Sequence, residues 1–166
     1  MIKKQKAVIQ LSLMAVMSAT VTVGTLVIRI PNPMGGYFNV GDVMIFVAAL
    51  TFNPLVAGVA GGLGSAIADM LMGYVVFAIP TFVIKGLEGL LASRITNKKS
   101  IYRDVLAVIV AGIAMIVGYF IVEVFMWGIG GAIAEVPANI AQIFLGGVVG
   151  VPIAVILRRR LPEILK

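Results

Sequence analysis

The chain has 166 residues, of which 61% are hydrophobic and only 12% charged, with a mean hydropathy of +1.12. A soluble domain carries about 25% charged residues and could not cover this much apolar surface, so a water-soluble fold is excluded. The net charge of +6 does not mark a nucleic-acid binder, because the basic residues gather at the chain ends and in one connection. The absence of Cys and His removes disulfides, thiol nucleophiles, the usual zinc sites and histidine proton relays.

Hydropathy, punctuated by proline and glycine, predicts spans over 7–28, 42–53, 54–74, 78–95, 103–127 and 137–158, in one domain covering residues 1–166. The first apolar run follows Lys3, Lys4 and Lys6 and reaches Ile28. It is longer than a signal-peptide core and lacks a small-residue cleavage site, so it is read as a retained span. Pro31 and Pro33 stop it. The second segment is short for a crossing, which needs about 20 residues, so it is tilted, partly re-entrant or merged with the third. Five spans is therefore the rival number. Pro54, Pro80 and Pro137 sit near the starts of later spans, where proline's missing N–H costs least, and Pro152 falls inside the last.

Charge decides between five and six. Lys3, Lys4 and Lys6, then Arg94, Lys98, Lys99 and Arg103, then Arg158, Arg159 and Arg160 fall on one side only if the number of spans is even, and short basic loops are held in the cytoplasm. The expected fold is an all-α integral membrane protein of the cell membrane. It is a compact bundle of six transmembrane helices in the lipid bilayer, with N and C termini cytoplasmic. The 29–41 loop, a turn near Gly73–Phe77 and the 128–136 segment face outward.

Small residues recur at the spacing that lets helices approach closely in lipid, at Ala15/Ala19, Gly58/Gly62 and Gly146/Gly150. No Gly-Lys-Ser/Thr follows the Gly61–Gly64 run, so no phosphate loop, and with it no ATP site, is expected.

An ionisable group in the hydrocarbon costs about 2.5–3.5 kcal/mol and calls for a reason. Asp42, Asp69, Lys85, Glu88 and Glu123 are such groups, and the predicted topology gathers them in the outer half of the membrane. Lys85 lies about 10 Å from the outer end of its span and Glu88 one turn deeper. Tyr119, Glu123 and Trp127 share one face of the fifth span, and Asn139 and Gln142 share a face of the sixth. Tyr37, Asn39 and Asp42 approach from the outer loop. Aromatics, amides and a few charges converging in a helical bundle suit a small polar aromatic ligand. The candidate binding residues are therefore Tyr37, Asn39, Lys85, Glu88, Tyr119, Glu123, Trp127, Asn139 and Gln142; no catalytic residue, metal site or cofactor is expected. Plainer roles stand beside these. Lys85 pairs with Glu88 or Asp69 instead of a ligand, Trp127 and Tyr119 belong to an interfacial aromatic belt, and Asp42 caps the second helix.

Three stretches, in this order, carry a resemblance: Ile30-Pro-Asn-Pro-Met-Gly-Gly-Tyr-Phe-Asn-Val-Gly-Asp42, then Gly61-Gly-Leu-Gly-Ser-Ala-Ile-Ala-Asp69 with Gly73-Tyr74, then Lys85-Gly-Leu-Glu-Gly89. They resemble the substrate-binding S components of energy-coupling factor (ECF) transporters over about residues 7–160. The likeness is to the riboflavin-type branch, which also includes proteins linked to hydroxymethylpyrimidine or pyridoxine uptake. The resemblance implies a six-helix, non-enzymatic subunit that captures a vitamin or precursor from outside and joins a transmembrane coupling subunit and two ATPases. It also implies toppling in the membrane to release substrate, docking through Ala15 and Ala19, and a first outer loop that acts as a lid made flexible by Gly35 and Gly36.

The rival reading is a free-standing secondary transporter or channel using Asp69, Lys85 and Glu88. It requires polar residues through both halves of the bilayer. The inner half is instead nearly all Val, Ile, Leu, Ala and Gly.

Overall fold

The computed structural model describes residues 3–31 and 36–161. Its elements are α1 (Lys3–Val27), a hairpin of β1 (Arg29–Pro31) and β2 (Tyr37–Asn39), then α2 (Gly41–Thr51), α3 (Pro54–Leu71), α4 (Val75–Ile95) and α5 (Ile101–Arg160). The hairpin is antiparallel and pairs Arg29 with Asn39, Ile30 with Phe38 and Pro31 with Tyr37. Asn32, Pro33 and Gly35, part of the expected lid, lie outside the described residues.

The expected six helices become five. The segment 128–136, read as an outer loop, is helical except at Gly128, whose φ of 75° and ψ of 174° suit a residue without a Cβ. There α5 breaks into two arms, and the second folds back along the first. Arg158, near one end, pairs with Asp104, near the other. The predicted fifth and sixth spans are thus two arms of one element. Four helices, α1, α3, α4 and α5, are long and apolar enough to cross a membrane.

The short α2 is the centre of the bundle. Of its residues only Met44 escapes full burial, which accounts for a helix that is apolar on every side yet covers only about 16 Å at 1.5 Å per residue. Gly146 and Gly150 of the second α5 arm lie against it: a Cβ on Gly146 would come within 2.9 Å of the Phe46 ring, and one on Gly150 within 3.0 Å of the Val43 carbonyl. Asn53 caps α3, accepting from the N–H groups of Leu55 and Val56 at 3.1 Å each, with Pro54 in the first turn. The backbones of α3 and α4 then touch. A Cβ on Gly61 would sit 2.4 Å from the Lys85 carbonyl and one on Gly62 2.6 Å from that of Phe82. On α1 the buried stripe is Met17, Ser18, Val21, Thr22 and Thr25; Thr22 donates to the Gly64 carbonyl at 2.8 Å. Ala15 and Ala19 lie on the exposed face of the same helix.

The Arg158–Asp104 ion pair closes the end away from the hairpin. Arg158 grips Asp104 with contacts of 3.2 and 2.5 Å, and Thr96 donates to the same carboxylate. Nearby, the Lys98 ammonium donates to the Phe52 carbonyl at 2.6 Å. Burial, then the neighbouring Arg158, push the Lys98 ammonium below its ordinary value.

Candidate functional site

Below the hairpin lies a polar cavity whose wall is assembled by helical and strand periodicity. On β2, Tyr37 and Asn39 alternate with Phe38 and so share a face. Both line the cavity together with Gly36. Phe77 and Thr81 come from α4, Asp69 from α3, Tyr119 and Glu123 from the first α5 arm, and Glu135, Asn139 and Gln142 from the second. Each helical set repeats at three or four residues, placing it on one face.

A chain of amides organises one side. The Gly41 N–H donates to Asn39 Oδ1 at 2.9 Å, Asn39 Nδ2 to Gln142 Oε1 at 2.6 Å, and Gln142 Nε2 to Asn139 Oδ1 at 3.1 Å. Because the chain starts from a backbone donor, the Gly41 N–H, the orientation of each amide that follows is fixed. The last donor, Asn139 Nδ2, is buried without a hydrogen-bond acceptor among the described residues. Across the cavity, the Tyr119 hydroxyl donates to Thr81 Oγ1 at 3.1 Å.

Tyr37 closes the mouth. Its hydroxyl donates to Asp69 Oδ1, and its ring packs on Tyr74 with centroids 4.8 Å apart. Tyr74 is held there because Gly73, at φ 85°, turns the chain so that the Tyr74 N–H donates to the Asp69 carbonyl at 2.8 Å. Burial, then the charge of Asp69, push the Tyr37 phenol well above its ordinary value, so it remains a proton donor. With Tyr37 seated, the cavity holds about 40 Å³, room for a water or two but not for a heteroaromatic ring. Entry of a vitamin-sized molecule requires the hairpin to lift.

Six of the nine candidate residues line this cavity: Tyr37, Asn39, Tyr119, Glu123, Asn139 and Gln142. Trp127 stands behind the wall, its ring 5.4 Å from that of Phe77. Lys85 and Glu88, expected on the wall, lie beneath it. Lys85 pairs with Asp42 and, at 3.1 Å, with Glu88, and its ammonium sits 5.7 Å from the centre of the Tyr119 ring. Asp69, the other expected partner, instead receives Tyr37. Asp42 does not cap α2; Val40 holds the cap position and Asp42 lies within the first turn as the partner of Lys85. Asp69, Phe77, Thr81 and Glu135 were missed as binding residues, although Asp69 stands out in the sequence as an intramembrane charge. Phe77, Thr81, Lys85 and Glu88 form one stripe at i, i+4, i+8 and i+11, a signal that could have found the first two. Glu135 precedes Asn139 by one turn but fell in the predicted loop.

Among the described residues no group of His, Cys, Asp and Glu is arranged to hold a metal ion. Toward the other end, the core of Phe46, Ala49, Leu50, Ala57, Ala92, Ala107, Val108, Ala111, Val151 and Ala154 fills the bundle between the Lys85 triad and the Asp104–Arg158 pair. Among the described residues this apolar cluster separates the two.

Comparison with known proteins gives four findings. Residues 5–159 match the family model described as the S component of ECF-type riboflavin transporters. An uncharacterized protein of the gap 3′ region of Pyrococcus woesei is 43% identical over 148 residues, covering 88% of this chain and 99% of that one. The thiamine precursor transporter HmpT of Lactococcus lactis subsp. cremoris is 30% identical over 156 residues, covering 93% and 90%. A solved structure described as the S component of a bacterial ECF transporter superposes with a TM-score of 0.64 at 25% identity, covering 95% of this chain and 97% of that one.

Proposed function

The chain belongs to the family of S components of ECF-type riboflavin transporters, multi-pass membrane proteins that bind substrate and are not enzymes, and we propose that it captures a small vitamin or vitamin precursor in the cavity beneath the hairpin. The observation that carries this reading is the oriented amide chain ending at Asn139, opposite the Tyr119–Thr81 pair, under a tyrosine latch. Amides whose orientation is fixed read ring nitrogens and hydroxyls, while the flanking aromatic faces supply apolar contact. A single ring requires less enlargement of a cavity of about 40 Å³ than a three-ring flavin does. This favours a pyrimidine- or pyridine-type vitamin or precursor, in line with the relative named for a thiamine precursor.

Capture occurs from outside, with both termini in the cytoplasm. The basic residues at 94–103 and 158–160, opposite the hairpin end, support that orientation. The subunit then joins a transmembrane coupling subunit and two ATPases. The exposure of Ala15 and Ala19 on α1 supports docking there, since small residues facing lipid permit close helix approach. The channel reading fares worse. Its Lys85 is paired with both Glu88 and Asp42, and the apolar core blocks any continuation.

Native mass spectrometry of the purified subunit, followed by calorimetry with riboflavin, pyridoxine and hydroxymethylpyrimidine, tests the proposal. At least one should bind below about 10 μM, roughly −7 kcal/mol. Asn139→Ala or Gln142→Ala should weaken it about 5- to 150-fold, the 1–3 kcal/mol cost of a lost buried hydrogen bond. Failure of every vitamin and precursor to bind would end this reading.

A further inference from the structure

We infer that the chain holds a net-anionic phospholipid at the end opposite the hairpin, with an acyl chain in a cleft between the two arms of α5 and the phosphate among the cations at the cleft's mouth. The cleft encloses about 490 Å³ and is lined by apolar side chains and one glycine, none of them shared with the cavity beneath the hairpin. Val105, Ile109 and Ile113 stand exposed on one arm and Phe144 and Val148 on the other, while Val108 and Val151 are buried and form the floor. Gly147 keeps it open, since a Cβ there would come within 3.0 Å of Val108 Cγ1. On the first arm the lining runs from Val105 to Ile116, about 16 Å at 1.5 Å per residue. That is the depth of one leaflet, half of a hydrocarbon core about 30 Å thick.

One turn beyond Val105 and Val151, Ile101 and Val155 continue the same two faces into a second cavity of about 680 Å³, which Lys98, Lys99, Arg158 and Arg159 also line. Of these four cations only Arg158 has a carboxylate partner, Asp104, among the described residues. Lys98 donates to the Phe52 carbonyl, which satisfies a hydrogen bond but leaves its charge unbalanced beside that of Arg158. Lys99 and Arg159 are exposed. Three uncompensated positive charges thus stand at the end of a leaflet-deep apolar cleft, at the level where headgroups lie. A soluble anion would answer the charges and leave the cleft open to lipid tails at random. A zwitterionic lipid would fill the cleft but bring no net charge. A net-anionic phospholipid answers both, through charge-assisted hydrogen bonds to its phosphate and apolar contact along one tail.

The test titrates the full chain, purified in a non-ionic detergent, with phosphatidylglycerol and phosphatidylcholine of identical acyl chains and counts bound lipid by native mass spectrometry. Phosphatidylglycerol should bind at least about 10-fold more tightly, since each cation near the headgroup contributes about 5-fold per unit of lipid charge. Lys99→Gln with Arg159→Gln, both at exposed positions, should cut that preference about 5-fold or more. Val148→Trp fills the cleft from its exposed rim and should weaken both lipids about 10-fold while leaving their ratio unchanged. Glycerol 3-phosphate, the anion without the tails, should not displace phosphatidylglycerol at about 100-fold excess. Melting without lipid shows that each variant is folded, and the comparison of lipids on the parent chain needs no variant. Equal binding of the two lipids would overturn the inference, as would retention of neither, which would leave the cleft to a partner helix. Displacement by glycerol 3-phosphate, or binding untouched by Val148→Trp, would reduce the site to one for free anions and overturn it as well.

Discussion

Replacing Lys85 by Met removes the one cation from a site that is closed to water. Lys85, Asp42 and Glu88 are 3%, 1% and 0% exposed, so neither carboxylate can turn to solvent when the ammonium is gone. Taking one partner from a buried ion pair costs about 3–5 kcal/mol. At about 2–4 °C per kcal/mol for a chain of this size, the melting temperature should fall by roughly 6–20 °C. Trp127 is the sole tryptophan and reports unfolding by fluorescence in detergent. Adding Asp42→Asn should recover part of the loss, because the remaining Glu88 no longer faces a like charge, and the double-mutant cycle should show coupling of about 0.5–3 kcal/mol. The reasoning fails if Lys85→Met melts within about 2 °C of the parent, about 1 kcal/mol or less, yet loses ligand affinity. That outcome would make Lys85 a ligand contact reached through the cavity floor.

Replacing Ala15 and Ala19 together by Leu should leave ligand affinity within a few fold but abolish co-purification with the coupling subunit and uptake, since both lie outside the packed stripe of α1; loss of binding as well would mean they pack internally. Tyr37→Phe removes the donor to Asp69 and should speed ligand association by up to about 10-fold in stopped-flow, because the latch costs less to open; an unchanged rate would show that the hairpin does not gate entry. Single cysteines at Arg29 and Asn97 test orientation: an impermeant thiol reagent added to intact cells should label only the former, and the reverse order would invert the topology.

Much of this architecture was legible because burial in lipid leaves a coarse signal. Apolar length located α1, α3 and α4 to within a few residues, and Pro54 marked the start of α3, because proline's missing N–H costs least in a first helical turn. Glycine was ambiguous. Gly128, Gly130 and Gly131 suggested a loop, but only Gly128 leaves helical geometry, and the helix resumes before Pro137. That displaced boundary is why Glu135 went unread. Long-range pairing was less legible still. Asp42 and Lys85 stand 43 positions apart, and nothing local to Asp42 distinguishes a capping aspartate from a buried counter-ion. The choice is made by α2 passing through the middle of the bundle, where no water reaches its first turn.

The two charge clusters and the core between them also constrain how substrate can leave. The Lys85 triad floors the cavity, and below it the side chains from Phe46 to Ala154 are apolar and close-packed. The far end is tied by Asp104 to Thr96 and Arg158, joining α4 to both arms of α5. A passage through the bundle would have to separate helices at Gly61 and Gly89, where each added Cβ would come within 2.4 Å of the facing backbone carbonyl, and strip two buried ion clusters of their partners. Breaking even one such pair costs about 3–5 kcal/mol. Lifting the hairpin breaks the Tyr37–Asp69 bond, the Tyr37–Tyr74 contact and the Asn39–Gln142 bond. The mouth under the hairpin is therefore the cheaper route in both directions. On the proposed reading, a subunit with a single usable mouth delivers substrate across the membrane only if the mouth itself changes sides, which is work for the proposed coupling subunit and ATPases and not for a pore within this chain.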